Sequence, residues 1–339
     1  MIDQVLKNLT NPPKAGSHEL YRWCDYIELR CLTHKDHRFS RDGLVESIAE
    51  NADTNSDDSL IDQEEDELDE PTATISETDA AIVNDKHEQH SANCFKHLRW
   101  REKAFSECWP FTLDEHAFEI RIKPELTEIQ RFYLSLLLSA SLSYVPKKRW
   151  RGLTGLLEKA STEIMKRLMP NGAEVHPFGA AETKRYTGHL FDRLTKLAND
   201  VRGSLELKKH HFAEHDSGDS GLDVVAWHGL GDERKGIPIA FAQCGCTASG
   251  WPNKMLEASP ARLAGHLNTF HEWATYYFMP LDLSTEVDDV MDWQMFSDFS
   301  RAIVIDRMRF VRLTLAYDIP PAPITAYEYV NEAHALQLS

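Results

Sequence analysis

Two short apolar runs set the tightest limit on the fold. Residues 222–227 (LDVVAW) and 237–243 (IPIAFAQ) are almost continuously apolar, and residues 229–236, rich in glycine and charge, separate them. Runs of this length without polar alternation read as strands covered on both faces. A hairpin of two such strands needs helices on either side of a sheet. The flanking sequence supplies them: Tyr186, Leu190, Leu194, Leu197 and Val201 share one face of a helix, followed by an extended segment over 204–212. A helix is predicted over 254–273, strands over 276–279 and 302–305, and a closing helix over 307–317. Residues 180–339 are therefore expected to form an α/β domain, a central mixed sheet flanked by helices.

The first half reads as mostly helical. Helices are predicted over 19–32, 125–145 and 151–169, with a short strand over 118–122. In the last of these helices Leu153, Leu157, Ala160, Ile164 and Leu168 fall in a narrow arc. Residues 1–45 and 91–179 are taken as one helical domain with no nucleotide-binding loop. Between its two parts, residues 46–90 hold sixteen acids and one lysine. That composition offers little to bury, so the stretch is expected to be a disordered acidic loop, either a solvated insertion or a nucleic-acid mimic over a basic groove. It carries −15 of the chain's net charge of −17. The remainder is near neutral, and the overall charge does not exclude a nucleic-acid partner.

The greasiest run, residues 132–145, is fourteen residues long and contains four serines, too short and too polar to span a bilayer. The start of the chain is polar and broken by prolines, so a cytoplasmic protein without a membrane association is expected. The six cysteines show no zinc-finger spacing and are expected to be reduced core thiols.

Chemistry concentrates at residues 216–227 and 243–246. Asp223 heads an otherwise apolar strand, where a charge is costly unless a cation or a set of donors compensates it. Gly218 and Gly221 allow a tight turn before it. The hairpin return brings Gln243 to the end of the neighbouring strand, where its amide oxygen can converge with the carboxylate. Oxygen ligands of this kind suit Mg²⁺ or Mn²⁺, which activates water and stabilises charge on a phosphodiester. Asp219 is a further candidate metal ligand. The plainer alternatives are that Asp216, Asp219 and Asp223 cap a turn and that Gln243 is a satisfied strand-end polar residue.

Gly218-Asp219-Ser220-Gly221-Leu222-Asp223, the apolar strand, the hairpin and a second apolar strand ending in Gln243 together resemble the PD-(D/E)XK nuclease superfamily, particularly its Mrr-like restriction enzymes. The resemblance covers about residues 180–315. It implies a restriction-endonuclease-like core, Asp223 as the metal-site aspartate, and Gln243 where the family has glutamate or glutamine. The lysine expected two residues after Gln243 is replaced by Gly245. Lys254, in the segment Trp251–Lys254, is the candidate for a relocated lysine, against a solvated helix-start residue. The family also places an acid on a preceding helix. Asp192 matches by position but lies away from its helix's apolar stripe, and Glu158 on the earlier helix is the alternative. More loosely, the pattern Gln243-Cys244, then Trp251-x-x-Lys254, is similar to bacterial proteins linked to phage defence.

Basic clusters add a second line. Lys147, Lys148, Arg149 and Arg151 surround Trp150; Lys208 and Lys209 precede two histidines; Lys96, Arg99, Arg101 and Lys103 surround Trp100. Bases beside aromatics suit phosphate backbones and exposed bases, although each cluster alone also reads as a solvated face. The expected activity is metal-dependent endonucleolytic cleavage of DNA in restriction or anti-phage defence, with a partner protein from such a system and oligomerisation left open. The alternatives are a catalytically degraded nuclease fold that binds nucleic acid or scaffolds, and an interaction protein using its acidic stretch.

Overall fold

The computed structural model describes residues 5–13, 19–54, 77–114, 116–179, 184–213, 220–288, 290–299 and 302–338. The chain forms two compact units, one built on Leu6–Pro124 and the other on Glu125–Glu332.

The first unit contains α1 (Leu20–Thr33), β1 (Arg38–Ser40), α2 (Arg41–Thr54), α3 (Glu77–Phe105), β2 (Phe111–Asp114) and β3 (Glu119–Ile122). The strands form an antiparallel sheet in the order β1-β3-β2. Its core holds an ion cluster: Arg101 donates to Asp25 and Glu28 at 2.9 Å each, and the Trp109 indole N–H donates to Glu28 at 3.1 Å. Arg101 and Trp100 are buried. Of the four bases expected around Trp100 only Arg101 is interior, committed to two buried carboxylates that would be left uncompensated without it; Lys96 and Lys103 stay exposed.

The acidic stretch is shorter as a non-helical segment than its composition suggests. Residues 46–54 continue α2 and residues 77–90 belong to α3. Leu44 and Ile48, one turn apart, are buried and anchor α2. Residues 55–76, the most acidic part, lie outside the described residues.

The second unit begins with α4 (Glu128–Ala140), α5 (Lys147–Leu168) and β4 (Glu174–Pro177), continues through α6 (Leu190–Asp200), β5 (Ser204–Leu205), β6 (Val224–Trp227) and β7 (Ile239–Cys244), then α7 (Trp251–Lys254), α8 (Pro260–Leu263), β8 (Leu267–Asn268) and β9 (Ala274–Phe278). It closes with β10 (Ser284–Val287), β11 (Val290–Trp293), β12 (Ile303–Ile305), α9 (Arg307–Ala316) and α10 (Tyr327–His334). Thr127 starts α4 with a capping box to Gln130. The central sheet is mixed and five-stranded, in the order β12-β9-β7-β6-β4. β4 pairs antiparallel with β6 and β6 with β7, while β9 adds parallel to β7 and β12 parallel to β9.

Two helices cover the centre of this sheet. Leu190, Leu194 and Leu197 of α6 pack with Val225 and Trp227 of β6 and Ile239 and Phe241 of β7. Alternate residues of these strands face the other side, where α5 packs on β4, β6 and β7. The apolar stripe of α5 is buried from Leu153 to Ile164, and Leu168 at its end is half-buried. The domain boundary is therefore at residue 125, not 180: α4 and α5 belong with the sheet that the α5 stripe covers. Over the helix predicted at 254–273 the structure has the end of α7, the single turn α8 and the short strand β8. Pro260 has no N–H for a helix interior and starts a new turn, while the strand expected over 276–279 is present as β9, residues 274–278, beside β7.

Candidate metal site at the end of the central hairpin

Asp223 lies one residue before β6 and is 5 % exposed. Its N–H donates to the Ala242 carbonyl at 2.9 Å, which fixes it against the end of β7. Its Oδ2 accepts from the Cys244 N–H at 2.7 Å. The carboxylate is thus bound to the backbone of the strand that carries Gln243.

The other carboxylate comes from α5. A methyl group built on Gly179 would lie 2.9 Å from Asp223 Oδ1 and 3.5 Å from Glu158 Oε2, so the two acids converge on the bare backbone just after β4. The Phe178 N–H donates to the Asp223 carbonyl at 2.7 Å and holds that backbone in place. Arg193 of α6, buried, donates to the carbonyls of Phe178 and Gly179 and stacks over the Phe178 ring. Of the two candidate helix acids it is Glu158 that lies beside Asp223; Asp192 is exposed on α6.

Gln243 is 8 % exposed. Alternation along β7 places it with Ile239 and Phe241, and Cys244 on the α5 side, where its thiol hydrogen-bonds Ser161. The Gln243 carboxamide turns to the strand end, its Nε2 3.4 Å from the Cys244 carbonyl. Its Oε1 is buried and has no hydrogen-bond partner. An unpaired buried amide oxygen is unfavourable by about 1–3 kcal/mol, which a cation or donor at this place would relieve.

Gly245 has a steric reason. A Cβ there would lie 2.9 Å from Tyr277 Cζ and closer still to its hydroxyl. Tyr277, on β9 in register with Gln243, fills the place a side chain at 245 would take. Its hydroxyl is buried without a hydrogen-bond partner, and burial, reinforced by Cys246, Cys244, Glu257 and Asp223, raises its ionisation well above the ordinary range. It is a neutral donor at the site. Nothing in the sequence around 277 signals this role, because the contact depends on the parallel pairing of β7 and β9.

Lys254 ends the single turn α7, anchored by the buried Trp251, and is half-buried. Its ammonium acts on the Cys246 thiol. Burial first, then the Glu158 and Asp223 carboxylates, push that thiol up to about 12, and Lys254 partly offsets them. Cys244 is likewise pushed well up by burial and Asp223. Both shifts favour the protonated thiols. Glu158, Asp223 and Lys254 therefore share one electrostatic environment around Cys246.

Asp219 and Asp216 lie outside the described residues. Among the described residues no three histidine, cysteine, aspartate or glutamate side chains come together as a metal site. The oxygen set at this place is two carboxylates and one amide. The expected basic loop at 147–151 is the first turn of α5. Lys147, Lys148 and Arg151 are exposed, whereas Arg149 pairs with Glu332 at 2.8 Å and lies over the Tyr329 ring. The Trp150 indole donates to Val145 at 2.8 Å and caps the preceding turn. Arg149 and Trp150 are structural. Lys208 and Lys209 are exposed beside β5. Among the described residues no helix is long and apolar enough to cross a membrane.

No protein-family model matches the chain, and no curated protein or solved structure matches it.

Proposed function

We propose that the second unit is a metal-dependent endonuclease with a restriction-endonuclease-like core, acting on DNA in restriction or anti-phage defence. The observation that carries this reading is the convergence of the Asp223 and Glu158 carboxylates over Gly179, at the end of the β6–β7 hairpin. The order of elements supports it: the helix α5 bearing one acid, the strand β4, the helix α6, the antiparallel hairpin β6–β7 with the other acid at its head, the turns α7 and α8, and β9 parallel to β7. The residues fit a hard cation. Asp223 and Glu158 supply anionic oxygens and Gln243 a neutral one left unpaired by the protein, as Mg²⁺ or Mn²⁺ prefers. When bound, the cation would supply Lewis acidity toward water and the phosphate.

The chain's own residues then have defined tasks. Water adds to phosphorus, the bond from phosphorus to one ester oxygen breaks, and the products are a phosphate end and a hydroxyl end. The water's proton passes to a site base, for which the two carboxylates are the candidates, and the departing ester oxygen takes a proton from solvent water to become the hydroxyl end. The Lys254 ammonium balances the charge that develops on the phosphate. Lys147, Lys148, Arg151, Lys208 and Lys209 would contact backbone phosphates, with binding that weakens as salt rises. A cytoplasmic location and a partner protein of the same defence system belong to this proposal.

A second reading has its own support. Gly245 is sterically committed to Tyr277, so no lysine can stand two residues after Gln243. A nucleic-acid-binding or scaffolding subunit without turnover would need none. Incubation of supercoiled plasmid with Mg²⁺ separates the two. Cleavage lost in Asp223→Asn supports the enzyme, and salt-sensitive DNA binding without cleavage supports the subunit.

A further inference from the structure

The first unit contains a buried dithiol that the proposed nuclease chemistry does not use. Cys24 of α1 and Cys94 of α3 are both fully buried. The Cys24 thiol donates to the Cys94 carbonyl at 3.6 Å. The Cys94 sulfur lies 3.7 Å from Nε2 of His90, one helical turn earlier. His90 is half-buried, its ring edge-on to Trp23 with centroids 4.6 Å apart. Two thiols and an imidazole thus meet at one point between two helices.

The electrostatics of the pair are unequal. The Cys24 thiol and then His90, working against burial, hold Cys94 below the ordinary thiol range, with Arg101 adding to the effect. Cys94 raises His90 in return. Cys24 is pushed well up, by burial and by its neighbour. Cys31, Cys244 and Cys246 are all raised as well, so the depression of Cys94 is not a general property of these buried thiols. A thiolate stabilised by an imidazole, with a second thiol beside it, is the arrangement that reacts with oxidants.

We propose that Cys24 and Cys94 form a redox-active pair, with Cys94 the attacking sulfur, Cys24 the resolving one, and a hydroperoxide the oxidant. The Cys94 thiolate attacks the terminal hydroxyl oxygen of the peroxide, the O–O bond breaks, and the other oxygen leaves as hydroxide or alkoxide, giving a sulfenic acid on Cys94. The Cys24 sulfur then attacks the Cys94 sulfur, the S–O bond breaks, and water leaves with the Cys24 proton. One peroxide is reduced by two electrons for each disulfide formed. Because both thiols are fully buried, local opening of α1 from α3 limits the rate, and the end state is the better observable.

The test uses the full chain, treated with hydrogen peroxide, denatured in N-ethylmaleimide and digested without reduction. The expected product is a peptide pair linked through Cys24 and Cys94, with two fewer alkylations per chain. In Cys24→Ser the reaction should stop at a dimedone-reactive sulfenic acid on Cys94, and in Cys94→Ser neither product should form. The proposal is overturned if Cys24 and Cys94 are both alkylated after oxidation, or if disulfides join other cysteines instead. Mapping on the wild-type chain decides this even if a variant fails to fold.

Discussion

Asp223 and Glu158, sixty-five positions apart in sequence, present their carboxylates to the same side of Gly179, 2.9 Å and 3.5 Å from where its Cβ would be. Two acids so placed repel each other unless a cation lies between them. Asp223→Asn keeps an acceptor for the Cys244 N–H and removes one charge. Its melting temperature without metal should equal or exceed that of the wild type, while Mg²⁺-dependent stabilisation should disappear. Thermal unfolding with and without Mg²⁺ checks both, and undiminished Mg²⁺ stabilisation would remove Asp223 from the metal site.

Gly179→Ala places a methyl group between the same two acids. The substitution should weaken Mg²⁺ binding by at least tenfold while leaving the far-UV spectrum unchanged. Titration calorimetry reads the affinity, and an unchanged affinity would show that the acids do not act together.

Gly245 and Tyr277 allow a paired test. Gly245→Ala drives a methyl group into the phenol and should destabilise the unit by about 1–3 kcal/mol, the usual range for overpacking. Tyr277→Phe removes a hydroxyl that has no partner in the fold and should be neutral or stabilising by about 1 kcal/mol. Urea denaturation distinguishes them. A large loss of stability in Tyr277→Phe would mean that the hydroxyl is structurally satisfied.

A pH effect is expected from a different place. Burial and then the neighbouring Asp282 push Asp306 up to about 7, while its side chain caps α9 by accepting from the Arg309 N–H at 3.0 Å. The folded value lies above the unfolded one. Its contribution is therefore fully present below about pH 4 and is lost as pH rises through about 7. Asp306→Asn keeps the cap and should remove this loss, stabilising the protein at pH 8 by on the order of a few kcal/mol and little at pH 4. Equal pH dependence in the two proteins would contradict the assignment.

Much of the central hairpin was legible in the sequence because its strands are apolar on both faces and a glycine-rich turn punctuates them. Asp223 stood out because a charge at the head of such a strand needs a reason, and the buried stripe of α5 followed from its spacing. The choice between Glu158 and Asp192 was not legible. It depends on which helix packs on which face of the sheet, and on α5 belonging to this unit at all. The two turns α7 and α8 were missed because residues 254–273 contain enough apolar positions to imitate a helix. The role of Tyr277 is visible only after β9 is placed beside β7. Arg149 resembled a DNA contact until Glu332 and Tyr329, nearly two hundred residues away, accounted for it.

In the proposed nuclease, Lys254 would supply the positive charge that position 245 cannot. Lys254→Ala should lower the cleavage rate by at least tenfold with little change in DNA affinity, the pattern of an interaction made mainly in the transition state. Single-turnover kinetics alongside a binding titration separate the two quantities. Equal rates in variant and wild type would leave the ammonium without a role.

The most direct test of the metal-dependent nuclease site is cleavage of supercoiled plasmid by the purified full chain, with Mg²⁺ or Mn²⁺ and with a chelator, beside Asp223→Asn and Glu158→Gln. Nicked or linear product is predicted for the wild type with metal only, and none for either variant. Intact plasmid in every lane, or cleavage that survives both substitutions, would contradict it.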